Sequence, residues 1–286
     1  MIIAAPAKIN LYLRVLSKRE DGYHEIETLF ERVSIFDNIS IEPTTSSTTI
    51  TCDNPNVPTD DDSLMARTIA AFLEEAGTDL HFQINLEKKI PISSGMGGGS
   101  SDAASLLKGM NALAGSPLDG DTLLRVAGKL GADVPFFIAD SRFAYGKGRG
   151  DVISRVESPL EIWHVLVTPP FEARTRDIYN KVSAFSLTKD EGVDRIFSAF
   201  LNGKDISAIS ENLCNDLQEI ALENFPILEE VFSALKKEGA KGVLLSGSGP
   251  TVFGIFDREK AEKGGKNLRS IFPEEENWKV FVARTY

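Results

Sequence analysis

The chain has 286 residues, of which 42% are hydrophobic and 26% are charged. This is an ordinary globular composition with ample apolar material for a core, and the length suits two lobes better than one compact domain. Acidic residues outnumber basic ones, 42 against 31, so the formal net charge is −11. A chain this acidic is a poor candidate for binding nucleic acid or an anionic membrane, although a local basic pocket for phosphate is compatible with it.

Cysteine usage and hydropathy indicate the compartment. Cys52 and Cys214 are far apart and lack the spacing of a metal site, which is typical of free thiols in a reducing environment. No apolar run has the length of a membrane span, and the first residues form no basic leader. We therefore expect a cytoplasmic protein with no membrane or nucleic-acid partner, acting as a monomer or a weak homodimer.

An alternating pattern opens the chain. Apolar and polar residues alternate between Lys8 and Val15, which predicts a half-buried strand. Lys8 and Asn10 would then project from the same face, about 6–7 Å apart. Turns are predicted at Asp21-Gly22 and at Asp37-Asn38, and short strands follow the second turn.

Helix and strand patterns mix through the middle of the chain. Ser63 is placed to cap a helix that ends at Gly77, and residues 82–86 alternate as a strand. Helical spacing returns at Ala103, after a glycine-rich segment, and a further helix ends at Gly131.

The second half begins with a buried-type strand at residues 163–167, and helical patterns occupy the region from about 191 to 237. Two strands, a final helix and a terminal strand at residues 279–284 complete the chain. This mixture predicts an α+β fold. The clearest boundary lies between the glycine-rich stretch at 146–150 and the strand at 163, which gives domains at 1–155 and 156–286.

The strongest chemical signal is the glycine-rich segment from Gly95 to Ser101. It lies between a strand and a helix, where free backbone N–H groups and the positive end of the helix dipole attract phosphate. A flexible loop or a packing turn is the alternative, but four glycines and two serines opening a helix favour phosphate binding. Neither common nucleotide motif fits, because no lysine follows the glycines and Ser100 replaces the last glycine of GxGxxG.

Two further residues suggest chemistry. Asp133 lies between a helix stop and an aromatic run, and Pro135 biases Val134 toward an extended backbone. Its carboxylate is either a capping or turn residue or a positioned acid–base group, and Lys8 is either an exposed edge lysine or a charge stabiliser. Phosphoryl transfer needs a phosphate cradle, a charge stabiliser and a group that orients or deprotonates the attacking hydroxyl. The glycine-rich segment, Lys8 and Asp133 could fill these three roles.

Three segments together resemble the GHMP kinase family: Pro6–Leu11, Pro91–Ser101 and Ser246–Pro250. On its own, the last segment is either a glycine-rich hairpin or a turn that brings backbone amides to a ligand. The finer resemblance, carried also by Asp21–His24 and Gly131–Phe137, is to the family members that act on a cytidylylated methylerythritol.

The resemblance implies a two-domain α+β fold, with a ribosomal-S5-like N-terminal domain, a ferredoxin-like C-terminal domain and a site between them. It implies transfer of the γ-phosphoryl group of ATP to the 2-hydroxyl of 4-diphosphocytidyl-2-C-methyl-D-erythritol, in the non-mevalonate route to isoprenoid precursors. Mg²⁺ would accompany ATP without a dedicated carboxylate ligand, and Ser101 carries the best-placed hydroxyl.

The same resemblance implies site residues. Asp133 would accept the hydroxyl proton, and Lys8 would hold both groups and offset charge in the transition state. The ATP phosphates would be bound by Pro91, Ile92, Ser93, Ser94, Gly95, Met96, Gly97, Gly98, Gly99, Ser100 and Ser101. The substrate would be contacted by Asn10, Tyr23, His24, Thr175 and Tyr179. Of these, Asn10 would contact the hydroxyl-bearing part, and Tyr23 and Tyr179 are the candidates for stacking on cytosine. The match around Thr175 and Tyr179 is looser.

Three alternatives stay open. A GHMP kinase of the homoserine or mevalonate type is disfavoured by the segment Asp21–His24. An RNA-binding protein with the S5-like fold is disfavoured by the charge of −11. A metabolite-binding regulator that has lost catalysis is disfavoured by the joint presence of Lys8 and Asp133.

Overall fold

The computed structural model describes residues 1–182, 195, 196, 198, 200 and 206–286. Most of the predicted helical region before residue 206 therefore lies outside the described residues. The strands are β1 (Ile2–Lys18), β2 (His24–Thr44), β3 (Thr49–Cys52), β4 (His81–Glu87), β5 (Phe143–Lys147), β6 (Val152–Val156), β7 (Trp163–Thr168), β8 (Cys214–Asn215), β9 (Gly242–Leu245), β10 (Val252–Phe256) and β11 (Lys279–Arg284). The helices are α1 (Leu64–Ala76), α2 (Gly98–Leu113), α3 (Gly120–Leu130), α4 (Val134–Ala139), α5 (Thr175–Tyr179), α6 (Ile206–Glu211), α7 (Gln218–Asn224), α8 (Leu228–Lys237) and α9 (Arg258–Ile271).

The first sheet has seven strands. Its main order is β3-β4-β2-β1-β8, while β5 pairs with β2 and β6 pairs with β5. Apolar side chains of α1 to α4 pack with those of β2 and β4 in one buried cluster. The outer strand β8 comes from the second half of the chain and pairs in parallel with β1 through Tyr12–Cys214 and Leu13–Asn215.

The second sheet has four antiparallel strands in the order β11-β7-β10-β9. With the helices between β7 and β9 and helix α9 before β11, the chain order is β-α-β-β-α-β, which is the ferredoxin-like arrangement expected. The predicted α+β class is confirmed. Apart from β8, the strands of the first sheet end at Val156, and the second sheet begins at Trp163. The domain limits of 1–155 and 156–286 stay a prediction.

Strand β1 is buried on both faces, so the prediction of a half-buried strand is wrong. Lys8 is 4% exposed and Asn10 is 1% exposed. Helix α2 packs on this strand from one side, and Ile9 and Leu11 share a buried cluster with Leu166 of the second sheet. A single sequence shows the alternation of polarity, but it does not show which neighbours cover the two faces of the strand.

The turn predicted at Asp37-Asn38 is also wrong, because β2 runs through it without a break. The Asp37 carboxylate is fully buried and accepts hydrogen bonds from the backbone N–H groups of Lys89 (2.6 Å) and Ile90 (2.8 Å). An aspartate usually favours a turn by bonding to nearby backbone. Here its partners are supplied by the segment after β4, about fifty residues away, so the strand continues.

The predicted N-terminal cap and C-terminal end of α1 are both confirmed. The Ser63 hydroxyl accepts a hydrogen bond from the Ala66 N–H group, and Gly77 ends the helix with φ +62°. The extended backbone predicted for Val134 is wrong, since this residue begins α4. Pro135 is accommodated because it lies in the first turn of that helix, where a backbone N–H group has no helical partner.

A buried ionic cluster lies beneath the start of α2. The Lys88 ammonium contacts both Asp37 and Asp102, at 2.8 Å from Asp102 Oδ2. Burial raises the pKa of Asp102, which is about 7. The negative charge of Asp37 raises this pKa further, and the attraction of Lys88 offsets only part of the increase. Burial alone would lower the pKa of Lys88, but the two carboxylates raise it. Two acids thus share one ammonium away from water.

This cluster makes the stability of the fold depend on pH. Because the folded-state pKa of Asp102 lies above its ordinary value of 3.8, its stabilising contribution is complete at low pH and is lost as the pH rises through about 7. We predict that Asp102→Asn removes this loss. Relative to the variant, the parent should lose about 1 kcal/mol or more of unfolding free energy between about pH 5 and pH 8.

The measurement is equilibrium urea unfolding, followed by far-ultraviolet circular dichroism at each pH. Asp79→Asn is the matched control, because Asp79 is exposed and the same substitution there should leave the parent's pH dependence intact. Parallel pH profiles for the parent and Asp102→Asn would contradict the prediction.

Candidate active site

A cleft of about 1010 Å³ is lined by residues from both halves of the chain. The first domain supplies the ends of β1 and β2, the glycine-rich segment and Asp133, and the second supplies α5 and the turn after β9. The sequence-predicted residues that line it are Lys8, Asn10, Tyr23, His24, Pro91, Ile92, Ser93, Ser94, Gly95, Gly97, Gly98, Gly99, Ser100, Asp133, Thr175 and Tyr179.

Two predicted ATP-binding residues do not line the cleft. The Met96 side chain is fully buried in the core, although its carbonyl oxygen accepts a hydrogen bond from the Lys8 N–H group at 3.0 Å. Ser101 is also fully buried, and its hydroxyl has no hydrogen-bond partner among the described residues. Met96 thus contributes through its backbone, while Ser101 lies in the first turn of α2 with its side chain buried.

The Lys8 ammonium is the centre of a buried polar chain. It donates a hydrogen bond to Asn10 Oδ1 at 2.7 Å, and the Asn10 amide donates to Thr28 Oγ1 at 2.7 Å. The Thr28 hydroxyl in turn donates to the carbonyl oxygen of Tyr12 at 2.7 Å. Because every link is satisfied, the position of the ammonium and the orientation of the Asn10 amide are both fixed.

Asp133 faces this ammonium. Its Oδ2 lies 3.4 Å from Lys8 Nζ, and its side chain is 33% exposed. Asp133 occupies the position before α4, yet its side chain makes no capping hydrogen bond there. Of the two readings that the sequence left open, the geometry supports the positioned carboxylate rather than the helix cap.

The glycine-rich segment requires glycine where it approaches its neighbours. Gly95 and Gly97 have φ +79° and +69°, a region that side chains disfavour. A Cβ atom at Gly97 would lie 2.9 Å from Lys8 Cγ, and one at Gly95 would lie 2.1 Å from the Ser246 carbonyl oxygen. The segment is thus packed against Lys8 and Ser246, and Gly98 then begins α2 with its N-terminus at the cleft.

The second glycine-rich segment closes over the first. The Ser246 hydroxyl donates to the Gly95 carbonyl oxygen at 3.0 Å, and the Thr251 N–H group donates to that of Ser94 at 3.2 Å. The Asn215 amide stabilises this turn by donating hydrogen bonds to the carbonyl oxygens of Leu245 and Gly247, both at 2.8 Å. This turn brings Gly247 next to Lys8.

Three aromatic residues gather at the other end of the cleft. The rings of His24 and Tyr179 lie 5.3 Å apart at 34°, while Tyr23 is 55% exposed. Burial, assisted by the charge of Lys18, lowers the pKa of His24, so its imidazole is neutral near pH 7. Burial, followed by the negative charge of Asp133, raises the pKa of Tyr179. Thr175, at the start of α5, bonds to the Ser248 hydroxyl at 2.9 Å.

Four further residues contribute to this site and were not predicted from the sequence. Thr28 orients Asn10, Asn215 holds the second glycine-rich turn, and Lys88 and Arg149 line the cleft. No strand was predicted at Thr28, and Asn215 lay in a region that was predicted as helical. Neither residue therefore gave a local signal of its place in the site.

Metal and membrane features are limited in the described part of the chain. It contains no group of three or more His, Cys, Asp or Glu side chains that could hold a metal ion. Within the same residues, no helix has the length and apolarity needed to cross a membrane.

Comparison with known proteins places the chain in a family. The model of the GHMP kinases N-terminal domain matches residues 63–141, and that of the GHMP kinases C-terminal domain matches residues 196–274. A 4-diphosphocytidyl-2-C-methyl-D-erythritol kinase of Syntrophotalea carbinolica is 38% identical over 97% of this chain and 96% of that protein. The enzyme of the same name from Syntrophus aciditrophicus is 37% identical over 99% and 98%.

Comparison with solved structures agrees with the sequence comparisons. A crystal structure of 4-(cytidine 5'-diphospho)-2C-methyl-D-erythritol kinase superposes with a TM-score of 0.82 at 33% identity, covering 99% of this chain and 98% of that one. A homoserine kinase from Cytophaga hutchinsonii has a TM-score of 0.75 at 20% identity, covering 100% and 94%, and this likeness concerns the fold alone. The chain therefore belongs to the GHMP kinase family, and the two relatives described above are 4-diphosphocytidyl-2-C-methyl-D-erythritol kinases.

Proposed function

We propose that this chain transfers the γ-phosphoryl group of ATP to the 2-hydroxyl of 4-diphosphocytidyl-2-C-methyl-D-erythritol, a step in the supply of isoprenoid precursors. The observation that carries the proposal is the position of Lys8, whose ammonium lies 3.4 Å from Asp133 while its backbone and stem contact the glycine-rich segment. A proton acceptor, a charge stabiliser and a phosphate cradle therefore converge on one cleft.

Asp133 is the proton acceptor in this proposal. As the substrate oxygen attacks the γ-phosphorus, its O–H proton passes to the Asp133 carboxylate and the bond to the β-phosphate oxygen breaks. Lys8 holds the carboxylate in place and offsets the negative charge that spreads over the transferring group. Asn10 is fixed by Thr28, so it can orient the attacking hydroxyl without rearrangement.

The start of α2 binds the phosphates. Its backbone N–H groups and helix dipole are directed at the cleft, as in other anion sites at helix N-termini. Magnesium bound with ATP would neutralise charge on the phosphate oxygens. Ser100 fits that role, because it lines the cleft. Its hydroxyl would hold the ion or its water shell, whereas the fully buried Ser101 does not line the cleft.

The aromatic end of the cleft would recognise cytosine. Tyr23 and Tyr179 offer flat apolar surfaces, and stacking on an aromatic ring is worth roughly 1–3 kcal/mol per base. His24 is neutral near pH 7 because its pKa is lowered. A neutral imidazole has one donor and one acceptor nitrogen, which suits the mixed hydrogen-bonding edge of a pyrimidine. Thr175 borders the same end from the second domain.

The direct test of the function is ADP release measured with three candidate acceptors and ATP. The cytidylylated methylerythritol should be phosphorylated, and mevalonate and homoserine should not. Turnover of either of the latter with none of the former would assign the chain to another branch of the family. The cytoplasmic location, the monomeric or weakly dimeric state and the lack of a nucleic-acid partner stay predictions.

We predict that Asp133→Asn lowers turnover and leaves ATP affinity within about twofold of the parent. A positioned general base contributes roughly 10²–10⁴-fold, and the loose transition state of phosphoryl transfer places the expected loss at the low end. The amide keeps the shape of the side chain but cannot take the proton. Steady-state turnover and calorimetric ATP binding are the two measurements.

Asp121→Asn, on the exposed face of α3, is the matched control and should behave as the parent. If Asp133→Asn retained turnover within a few-fold of the parent, Asp133 would have a structural role only.

Gly99 offers the cleanest test of the phosphate cradle. A Cβ atom there comes no closer than 4.0 Å to any neighbour, whereas at Gly98 it would lie 2.9 Å from both Ile90 and Lys88. Gly99→Val should therefore fold normally while placing branched carbons in the cleft. We predict a loss of about tenfold or more in ATP affinity, equivalent to about 1.4 kcal/mol.

Calorimetric titration with ATP measures this loss. Gly120→Val, at the start of α3, is the control because nothing lies within 4 Å of its added Cβ atom. Parental ATP affinity in a folded Gly99→Val protein would show that the phosphates bind elsewhere.

A further inference from the structure

Arg149 lies at the tip of the hairpin between β5 and β6 and is held rigidly. Its Nε and Nη2 atoms both donate to Asp151 Oδ2, at 2.9 and 2.7 Å, and its backbone N–H group donates to Asp151 Oδ1 at 3.0 Å. Nη2 also donates to the Gly128 carbonyl oxygen at 3.1 Å. A guanidinium with these contacts has little rotational freedom left, although its side chain is 25% exposed.

The fixed guanidinium covers the ring of Tyr23. Arg149 Cζ lies 5.1 Å from the centre of that ring, within the range of a cation–π contact. The backbone of Tyr23 is held separately, since its N–H group donates to Asp21 Oδ1 at 3.1 Å and Asp21 is paired with Arg19. A tyrosine with half of its surface in solvent is thus ordered at both its backbone and its ring.

The hairpin and the loop that carries Tyr23 form one unit. The Ile26 N–H group, two residues after His24, donates to the Gly148 carbonyl oxygen at 2.7 Å. Arg149, Tyr23 and His24 all line the same end of the cleft. The contact between cation and ring is therefore made inside the ligand site and is held by backbone bonds on both sides.

We propose that Arg149 is a positioning residue that fixes the Tyr23 ring as one wall of the pyrimidine slot. The proposal rests on the proposed function, because it assumes that a cytidine nucleotide enters this end of the cleft. Two of the three guanidinium nitrogens already bond to Asp151 and Gly128. Arg149 therefore acts through the ring and not by binding the substrate diphosphate. A ring ordered before the ligand arrives costs less conformational entropy on binding.

Arg149→Met tests this proposal, because it keeps an unbranched apolar stem and removes the planar cation. The KM for the cytidylylated substrate should rise about 3- to 30-fold, which is the loss of affinity expected for one cation–π contact. The turnover number and the KM for ATP should stay within about twofold of the parent values. Arg149→Lys keeps a cation without the paired contacts to Asp151 and should restore part of the loss. Arg155→Met, on the exposed face of β6, is the matched control.

Two additional measurements distinguish an effect through the Tyr23 ring from a direct effect on binding of the substrate phosphates. Calorimetric binding of CMP and of CDP to Arg149→Met should show the same factor of loss for both nucleotides. In a Tyr23→Leu background, adding Arg149→Met should cost less than about twofold, since coupled residues are not additive.

The proposal is overturned by parental KM in Arg149→Met, by equal losses for ATP and substrate, by an undiminished loss without the Tyr23 ring, or by a larger loss for CDP than for CMP. The last result would assign Arg149 to the diphosphate instead. Failure of the proposed function looks different, because the parent protein itself would then neither turn over the cytidylylated substrate nor bind CMP.

Discussion

The site is organised around one buried ammonium. Lys8 is almost fully enclosed, and the cost of removing its charge from water is offset by a carboxylate at 3.4 Å, an amide oxygen at 2.7 Å and the face of Phe30 at 5.4 Å. Two of these partners are held by other neighbours, because Asn10 donates a hydrogen bond to Thr28 and the Phe30 ring stacks on Phe136. A side chain at Gly97 would collide with the lysine stem. The glycine-rich segment and the Asp133 carboxylate are therefore both positioned relative to the Lys8 ammonium.

The second domain contacts the glycine-rich segment of the first domain. Its glycine-rich turn donates hydrogen bonds to the carbonyl oxygens of Gly95 and Ser94, and Asn215 holds that turn in shape. Tyr179 comes from the same domain and meets His24 of the first. Neither domain alone lines the whole cleft, because the end at the glycine-rich segment and the aromatic end each take residues from both.

The structural features that could be predicted from the sequence are those that depend on residues close together in the chain. The cap at Ser63, the alternation of β4 and the terminal strand at Lys279–Arg284 follow from local rules of capping and periodicity. The glycine-rich segment was identified by its composition, and the roles of Lys8 and Asp133 were inferred from a family pattern. The burial of β1 on both faces, the partners of Asp37 and the contact of Arg149 with Tyr23 involve residues far apart in the chain. No local pattern encodes such pairs, so they needed the fold.

The parallel pairing of β8 with β1 has a consequence for the modularity of the chain. A cut between Val156 and Trp163 would appear to separate two sheets cleanly, yet it would remove β8, which pairs with β1 at Tyr12 and Leu13. The isolated N-terminal fragment would present unpaired N–H and C=O groups along that edge, next to apolar surface that the second sheet normally covers. Exposed edges of this kind recruit other strands and promote aggregation. The pairing of β8 with β1 thus ties the two halves together, and we expect a chain cut at this point to be less soluble than the intact one.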